Sequence, residues 1–173
     1  MILKRFIDKS NKKYVNKSVL NRVVQPNDNK INSIGVLVDN NEFADIEWIN
    51  NLAQSLKVNQ NQLKILSYFN PKKEEISVFT NTFAKKDLSW NGQFKSQIAK
   101  DFVNTSFDLL INLYQTNDLA LQVATAATNA TLKVGLNNTN PELNDLIINV
   151  NINDKSVFKT ELIKYLNILN KLK

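Results

Sequence analysis

Residues 107–136 read FDLLINLYQTNDLALQVATAATNATLKVGL. A mainly apolar run, Phe107–Leu113, gives way to a polar break, a stretch with helical spacing, and a second mainly apolar run at residues 131–136. Strands that are mainly apolar along their length, rather than at alternate positions, belong to sheets covered on both faces. Thr116 or Asn117 is placed to cap the intervening helix, which the pattern carries to Ala130. Small residues at Ala124, Ala126, Ala127 and Ala130 let that helix lie close to a sheet.

The same alternation recurs on either side. Residues 31–38 (INSIGVLV) read as a buried strand. Asp39 and Glu42 have capping-box spacing, which predicts a helix running to about Leu56 with Phe43, Ile46, Ile49, Leu52, Ala53 and Leu56 on one face. Residues 62–69 (QLKILSYF) form a second strand, stopped by Asn70-Pro71. Residues 76–79 read as a short strand, Trp90-Asn91-Gly92 as a turn, and residues 101–105 as a helix end or a loop. Residues 146–150 (LIINV) make a last strand, and Asp154 caps a final helix with Val157, Leu162, Tyr165, Leu166 and Leu169 on its stripe. This order predicts an α/β fold, a three-layer Rossmann-like sandwich with a mainly parallel sheet.

The beginning of the chain differs. Ile2, Leu3, Phe6, Ile7 and Tyr14 recur at helical spacing, opposite Lys4, Arg5, Lys9 and Lys12, which predicts a basic amphipathic helix. Gln25-Pro26-Asn27-Asp28 reads as a turn, so residues 1–25 form a basic helical arm and residues 26–173 a single α/β domain. The apolar stripe Ile2, Leu3, Phe6 and Ile7 is expected to dock on the domain and leave the lysines free.

Across 173 residues, 22 Lys and Arg face 16 Asp and Glu, a net charge of +6. Residues 1–22 hold Lys4, Arg5, Lys9, Lys12, Lys13, Lys17 and Arg22 against one acid, Asp8, so the whole excess sits on the arm. A basic segment on a neutral body is suited to phosphates, whether of nucleic acid or of lipid head groups. Lysine far outnumbers arginine, which argues against base-specific readout, since arginine makes the bidentate contacts.

Cys and His are both absent, and there are three Gly. Disulfides, thiolate nucleophiles, Ser-His triads, His-ligated metals and glycine-rich phosphate loops are thereby excluded. Glu74-Glu75, and Asp45 with Glu47, are spaced so that the side chains point apart on a helix, which makes neither pair a metal cluster or a glycosidase dyad. The sequence therefore nominates no catalytic residue, no metal ligand and no cofactor.

In an open parallel sheet, ligands bind beyond the carboxyl ends of the strands. Those ends offer Asp39, Asn70, Asn112, Tyr114 and Asn137 as a possible ligand crevice, with Asn40, Asn41, Tyr68, Gln115, Asn138, Asn151 and Asn153 beside them. Asp39 reads equally as a cap and the asparagines as turn formers. Among the aromatics Trp48, Trp90, Phe94, Phe102 and Phe107, Trp90 is the one expected to be exposed, Trp48 is expected to be partly buried, and core packing accounts for most.

SNKKYVNK near the start, SIGVLVD, LKVGL and DLIINVN together resemble an uncharacterised family of short cytoplasmic α/β proteins from Bacteroidota. That resemblance implies a bacterial cytoplasmic protein and carries over no catalytic or binding residue. FDLLINL, the helix and TLKVGL also look like half of a Rossmann-type transferase domain. No apolar run reaches the roughly 18–20 residues that span a bilayer, and charge interrupts the N-terminus too often for a signal-peptide core.

The first functional expectation is a non-catalytic protein that docks to an RNA-containing assembly, such as the ribosome, through Lys4, Arg5, Lys9, Lys12, Lys13 and Lys17. The alternative is a Rossmann-like transferase or hydrolase acting on a nucleotide or sugar. A third is a peripheral protein whose arm lies on an anionic membrane surface.

Overall fold

The computed structural model describes residues 1–23, 27–70 and 76–173. Six strands, β1 (Ile34–Asp39), β2 (Leu63–Tyr68), β3 (Thr82–Phe83), β4 (Phe107–Leu113), β5 (Ala130–Leu136) and β6 (Leu146–Ile148), form one sheet in the order β3-β2-β1-β4-β5-β6. Every pairing is parallel. This is the strand order of doubly wound nucleotide-binding folds, with its reversal between β1 and β4.

All six residues of β1 are buried, as are all of β4 except Asp108, so the sheet centre needs cover on both faces. On one face, α2 (Ile46–Ser55) and α5 (Lys155–Ile168) pack Ile49, Leu52, Phe158, Leu162 and Leu166 over Val36, Val38, Leu109 and Ile111. On the other, α3 (Gln97–Val103) and α4 (Leu119–Ala127) pack Ala99, Phe102, Leu121 and Ala124 over Leu37, Leu66 and Leu110. The result is the α/β sandwich that the alternating strands and helices imply.

Several local expectations are corrected. Helix α2 begins at Ile46 and not after Asp39, because Asp45 is its cap and accepts from the Trp48 amide at 2.9 Å. Asp39 instead closes a tight turn, accepting from the Asn41 backbone at 3.0 Å and its side-chain amide at 2.8 Å. Glu42 is drawn to another loop, described below, and forms no capping box. The third strand is Thr82–Phe83 and not residues 76–79, since it is Ser67 and Tyr68 that pair with it. Asp118, rather than Thr116 or Asn117, caps α4 by accepting from the Ala120 amide. On α5 the buried stripe is Phe158, Leu162 and Leu166, an i, i+4, i+8 ladder that leaves Val157 and Leu169 exposed. Pro71, the Glu74-Glu75 pair, and Gln25 and Pro26 of the expected turn lie outside the described residues.

Helix α1 (Ile2–Asn21) lies against α4. The expected docking stripe is not the one used. Ile2, Leu3 and Phe6 stand 73%, 62% and 56% exposed, and the buried residues of α1 are Asn11 and Val15. Polar contacts with the turn at residues 89–92 choose this face. Asn11 donates its side-chain amide to the Ser89 carbonyl at 2.9 Å, and its oxygen accepts from the Gly92 amide at 2.9 Å. Ser10 accepts from the Asn91 amide at 3.1 Å. Gly92 has φ +76°, and a Cβ there would come within 2.3 Å of the Tyr14 ring. An ion pair at either end completes the fastening, Asp8 with Lys85 at 3.5 Å and Arg22 with Asp145.

Gly92→Ala therefore carries two penalties, a left-handed backbone that Ala resists and a collision with the Tyr14 ring. It should destabilise the protein by about 2–4 kcal/mol, read as a lower urea midpoint. A midpoint equal to that of the parent protein would show that α1 is not seated on this turn.

Candidate functional site

Seating α1 through Asn11 and Val15 turns its opposite side outward. Arg5, Lys9, Lys12, Lys13 and Lys17 are exposed there, whereas Lys4, seven residues before Asn11 and so on the seated face, is exposed but lines the cleft beneath the helix. The helix's lone acid, Asp8, is directed at the body and paired with Lys85. At 1.5 Å per residue the 20-residue helix is about 30 Å long, so the cations form a ridge and not a point. The exposed Ile2, Leu3 and Phe6 are confined to its first two turns.

Beneath that first part of α1, a cleft of about 740 Å³ opens at the carboxyl ends of β2 and β3. Leu3, Ile7, Tyr68 and Leu88 supply apolar walls, with Lys4, Lys85, Lys86 and Lys95 also lining it. Asn70 faces this cleft. The Tyr68 hydroxyl donates to the Asp118 carboxylate at 3.2 Å. Burial, reinforced by the charge of Asp118, raises the Tyr68 pKa well above its ordinary value.

The other crevice candidates are held in internal contacts. Asn112 is fully buried, donating to Asn144 at 2.7 Å and accepting from the Thr125 hydroxyl at 3.2 Å. The Tyr114 hydroxyl meets the Thr125 hydroxyl at 2.6 Å, and burial raises its pKa too. Asn137 accepts from the Gln115 side-chain amide. Asp39 is spent on Asn41. The structure thus divides the five: Asn70 lines the cleft, Asn112 and Tyr114 share one network through Thr125, and Asp39 and Asn137 sit apart.

Two side chains that sequence reasoning passed over stand out. Glu42, from the loop after β1, accepts from the backbone amides of Gln115 at 2.6 Å and Thr116 at 3.2 Å. These amides follow β4, at the switch point where a ligand in such a sheet would sit. A carboxylate of the protein already occupies them, and an incoming phosphate there would have to displace it. Nothing in the sequence near Glu42 identifies its partner.

The second is Lys133, a lysine in the middle of β5 that is only 3% exposed. Its Nζ donates to the Thr125 carbonyl at 2.5 Å. It lines a cavity of about 280 Å³ together with Ser18, Val19, Arg22, Thr128 and Glu142. Burial drives its pKa down to about 7, the nearby Arg22 guanidinium adds to the fall, and Asp145 opposes it. The signal was available in TLKVGL, where a charge interrupts an otherwise apolar strand.

Trp90 is half-exposed on its turn and Trp48 partly buried against Phe43 and Phe158, while Phe94, Phe102 and Phe107 are core residues. Among the described residues no helix is long and apolar enough to cross a membrane.

The chain belongs to DUF6913, a family of unknown function, which it matches over residues 8–169. No curated protein and no solved structure matches it.

Lys133 gives stability a pH dependence of known sign. Its pKa is about 7 when folded and about 10.4 in the unfolded chain. Between those values the unfolded chain holds the extra proton, so raising the pH favours folding by up to about 1.4 kcal/mol per unit. Below about pH 7 both states are protonated and this contribution is flat. Urea midpoints for the parent protein should therefore rise from pH 7 to pH 9 relative to those of Lys133→Met, which lacks the group. Parallel pH profiles would contradict a depressed Lys133.

Proposed function

We propose that this DUF6913 protein is a non-catalytic docking module that binds the phosphate backbone of an RNA-containing assembly, the ribosome foremost, through the outward side of α1. One observation carries this reading: Arg5, Lys9, Lys12, Lys13 and Lys17 are exposed together on a helix whose single acid is turned inward and paired. Five cations along a rigid ridge suit a polyanion better than a small anion, which would use one or two. Lysines provide charge without the fork geometry that reads base edges, so binding is expected to be strong at low salt and indifferent to sequence. Such a role belongs in the cytoplasm.

Ile2, Leu3 and Phe6 favour a second reading, attachment to an anionic membrane surface. They rank second because they occupy only the first turns, whereas the cations continue to Lys17. The transferase or hydrolase alternative has the fold alone behind it, and the Glu42 carboxylate at the switch point counts against it.

The triple variant Lys9→Glu, Lys12→Glu, Lys13→Glu should melt within about 2 °C of the parent, since surface substitutions seldom exceed about 0.5 kcal/mol. Its affinity for ribosomal RNA at about 50 mM salt should fall at least tenfold, and the salt slope of binding should shrink by about two to three counterions. Unchanged RNA affinity would overturn the reading. Flotation with anionic liposomes that is lost in Phe6→Asp, combined with absent RNA binding, would move the function to the membrane.

A further inference from the structure

The small cavity beside β5 has a chemistry that the docking role does not use. Its lining includes Lys133, whose amine lies inside the protein and is held at one hydrogen by the Thr125 carbonyl. The charged groups around that amine come from each neighbouring element. Arg22 follows α1, Glu142 lies on the turn Pro141–Leu143 ahead of β6, and Asp145 precedes β6, while α4 contributes only uncharged groups, Thr125 and Thr128. Asp145 is the acid best placed to neutralise Lys133, but it is already engaged. It takes the Arg22 guanidinium through both oxygens and the Lys133 backbone amide at 2.7 Å.

We propose that Lys133 is an acylation site: its amine takes a small acyl group from an acyl phosphate that enters this cavity. The amine nitrogen forms a bond to the acyl carbon, the carbon–oxygen bond to phosphate breaks, phosphate leaves with the electron pair, and the nitrogen releases a proton to water. Three features favour this over other amine chemistry. The product is a neutral amide, so the charge that burial and Arg22 disfavour is removed for good. The amide keeps an N–H, so the bond to the Thr125 carbonyl survives and no buried group is orphaned. Arg22 stands in the cavity wall, and its Nη1, which the Asp145 pair does not use, can donate to the phosphate of the donor and of the leaving group. An iminium formed with an aldehyde would instead place a fixed positive charge beside Arg22.

Reactivity should follow the fraction of free amine. At pH 7.5 an exposed lysine is neutral in roughly one molecule in a thousand, whereas Lys133, with a pKa of about 7, is mostly neutral. The test is incubation of the full chain with acetyl phosphate at pH 7.5, with site occupancy followed by peptide mass spectrometry. Lys133 should acetylate at least tenfold faster than the exposed Lys12 and Lys13, and the preference should vanish in 8 M urea. Arg22→Gln should slow Lys133 severalfold while leaving Lys12 and Lys13 unchanged. Lys133 remaining unmodified while Lys12 and Lys13 react, or a preference that persists in urea, would overturn the proposal.

Discussion

A strand with no polar face dictates most of this structure. Ile34 through Asp39 are buried without exception, so β1 can exist only with a neighbour on each edge and a helix layer on each face. The parallel arrangement follows, because returning to the same end of the sheet requires a crossover, and the crossover helices are the cover. Reversing direction on the two sides of β1 then leaves β1 and β4 as adjacent centre strands, with loops diverging beyond their carboxyl ends. In many sheets of this order that divergence is a ligand cradle. Here Glu42 bridges it, tying the loop after β1 to the loop after β4. The constraint that builds the crevice is thus met by a side chain that closes it.

Helix α1 obeys a different logic. Hydrophobicity alone would have buried Ile2, Leu3 and Phe6, and the outcome shows polar fit prevailing over apolar area. Asn11 satisfies a backbone donor and a backbone acceptor on the turn at residues 89–92, groups that would otherwise be costly to cover. Gly92 makes the seat deep enough for the Tyr14 ring. The ion pair at Arg22 anchors the far end and at the same time places a guanidinium near Lys133, so the helix shapes the electrostatics of a cavity formed largely by other elements.

Legibility in the sequence tracked the range of the determining interaction. FDLLINL coincides with β4 residue for residue, and LKILSY was read within one residue at each end, because a buried strand declares itself locally. The exposed cationic side of α1 was legible for the same reason, since charge segregation is a property of neighbouring residues. Failures clustered where a local motif had a distant competitor. Asp39 and Glu42 have the spacing of a capping box, yet Glu42 answers to amides more than 70 residues away. The crevice candidates share only their place at strand ends. Whether such a residue points into a cleft or into a network, as Asn112 does through Thr125 and Asn144, depends on helices that its own segment does not encode. Lys133 was visible as an anomaly in an apolar strand, but its meaning required knowing that Asp145 was already taken.

The fastening of α1 along its length has a thermodynamic consequence. Basic tails on many proteins are unstructured until they meet their partner, and the ordering entropy is then deducted from the affinity. A helix locked by Asn11, by the Tyr14–Gly92 fit and by an ion pair at each end has already lost that entropy during folding. In the docking role proposed above, only the rotamers of the cationic side chains would remain to be ordered, so encounter and recognition would collapse into one step, with association governed by long-range attraction. The same rigidity restricts which partners can be accommodated. A stiff line of cations from Arg5 to Lys17, about 18 Å long, would complement a surface whose phosphates follow a comparable line, and it could not wrap around one that curves away.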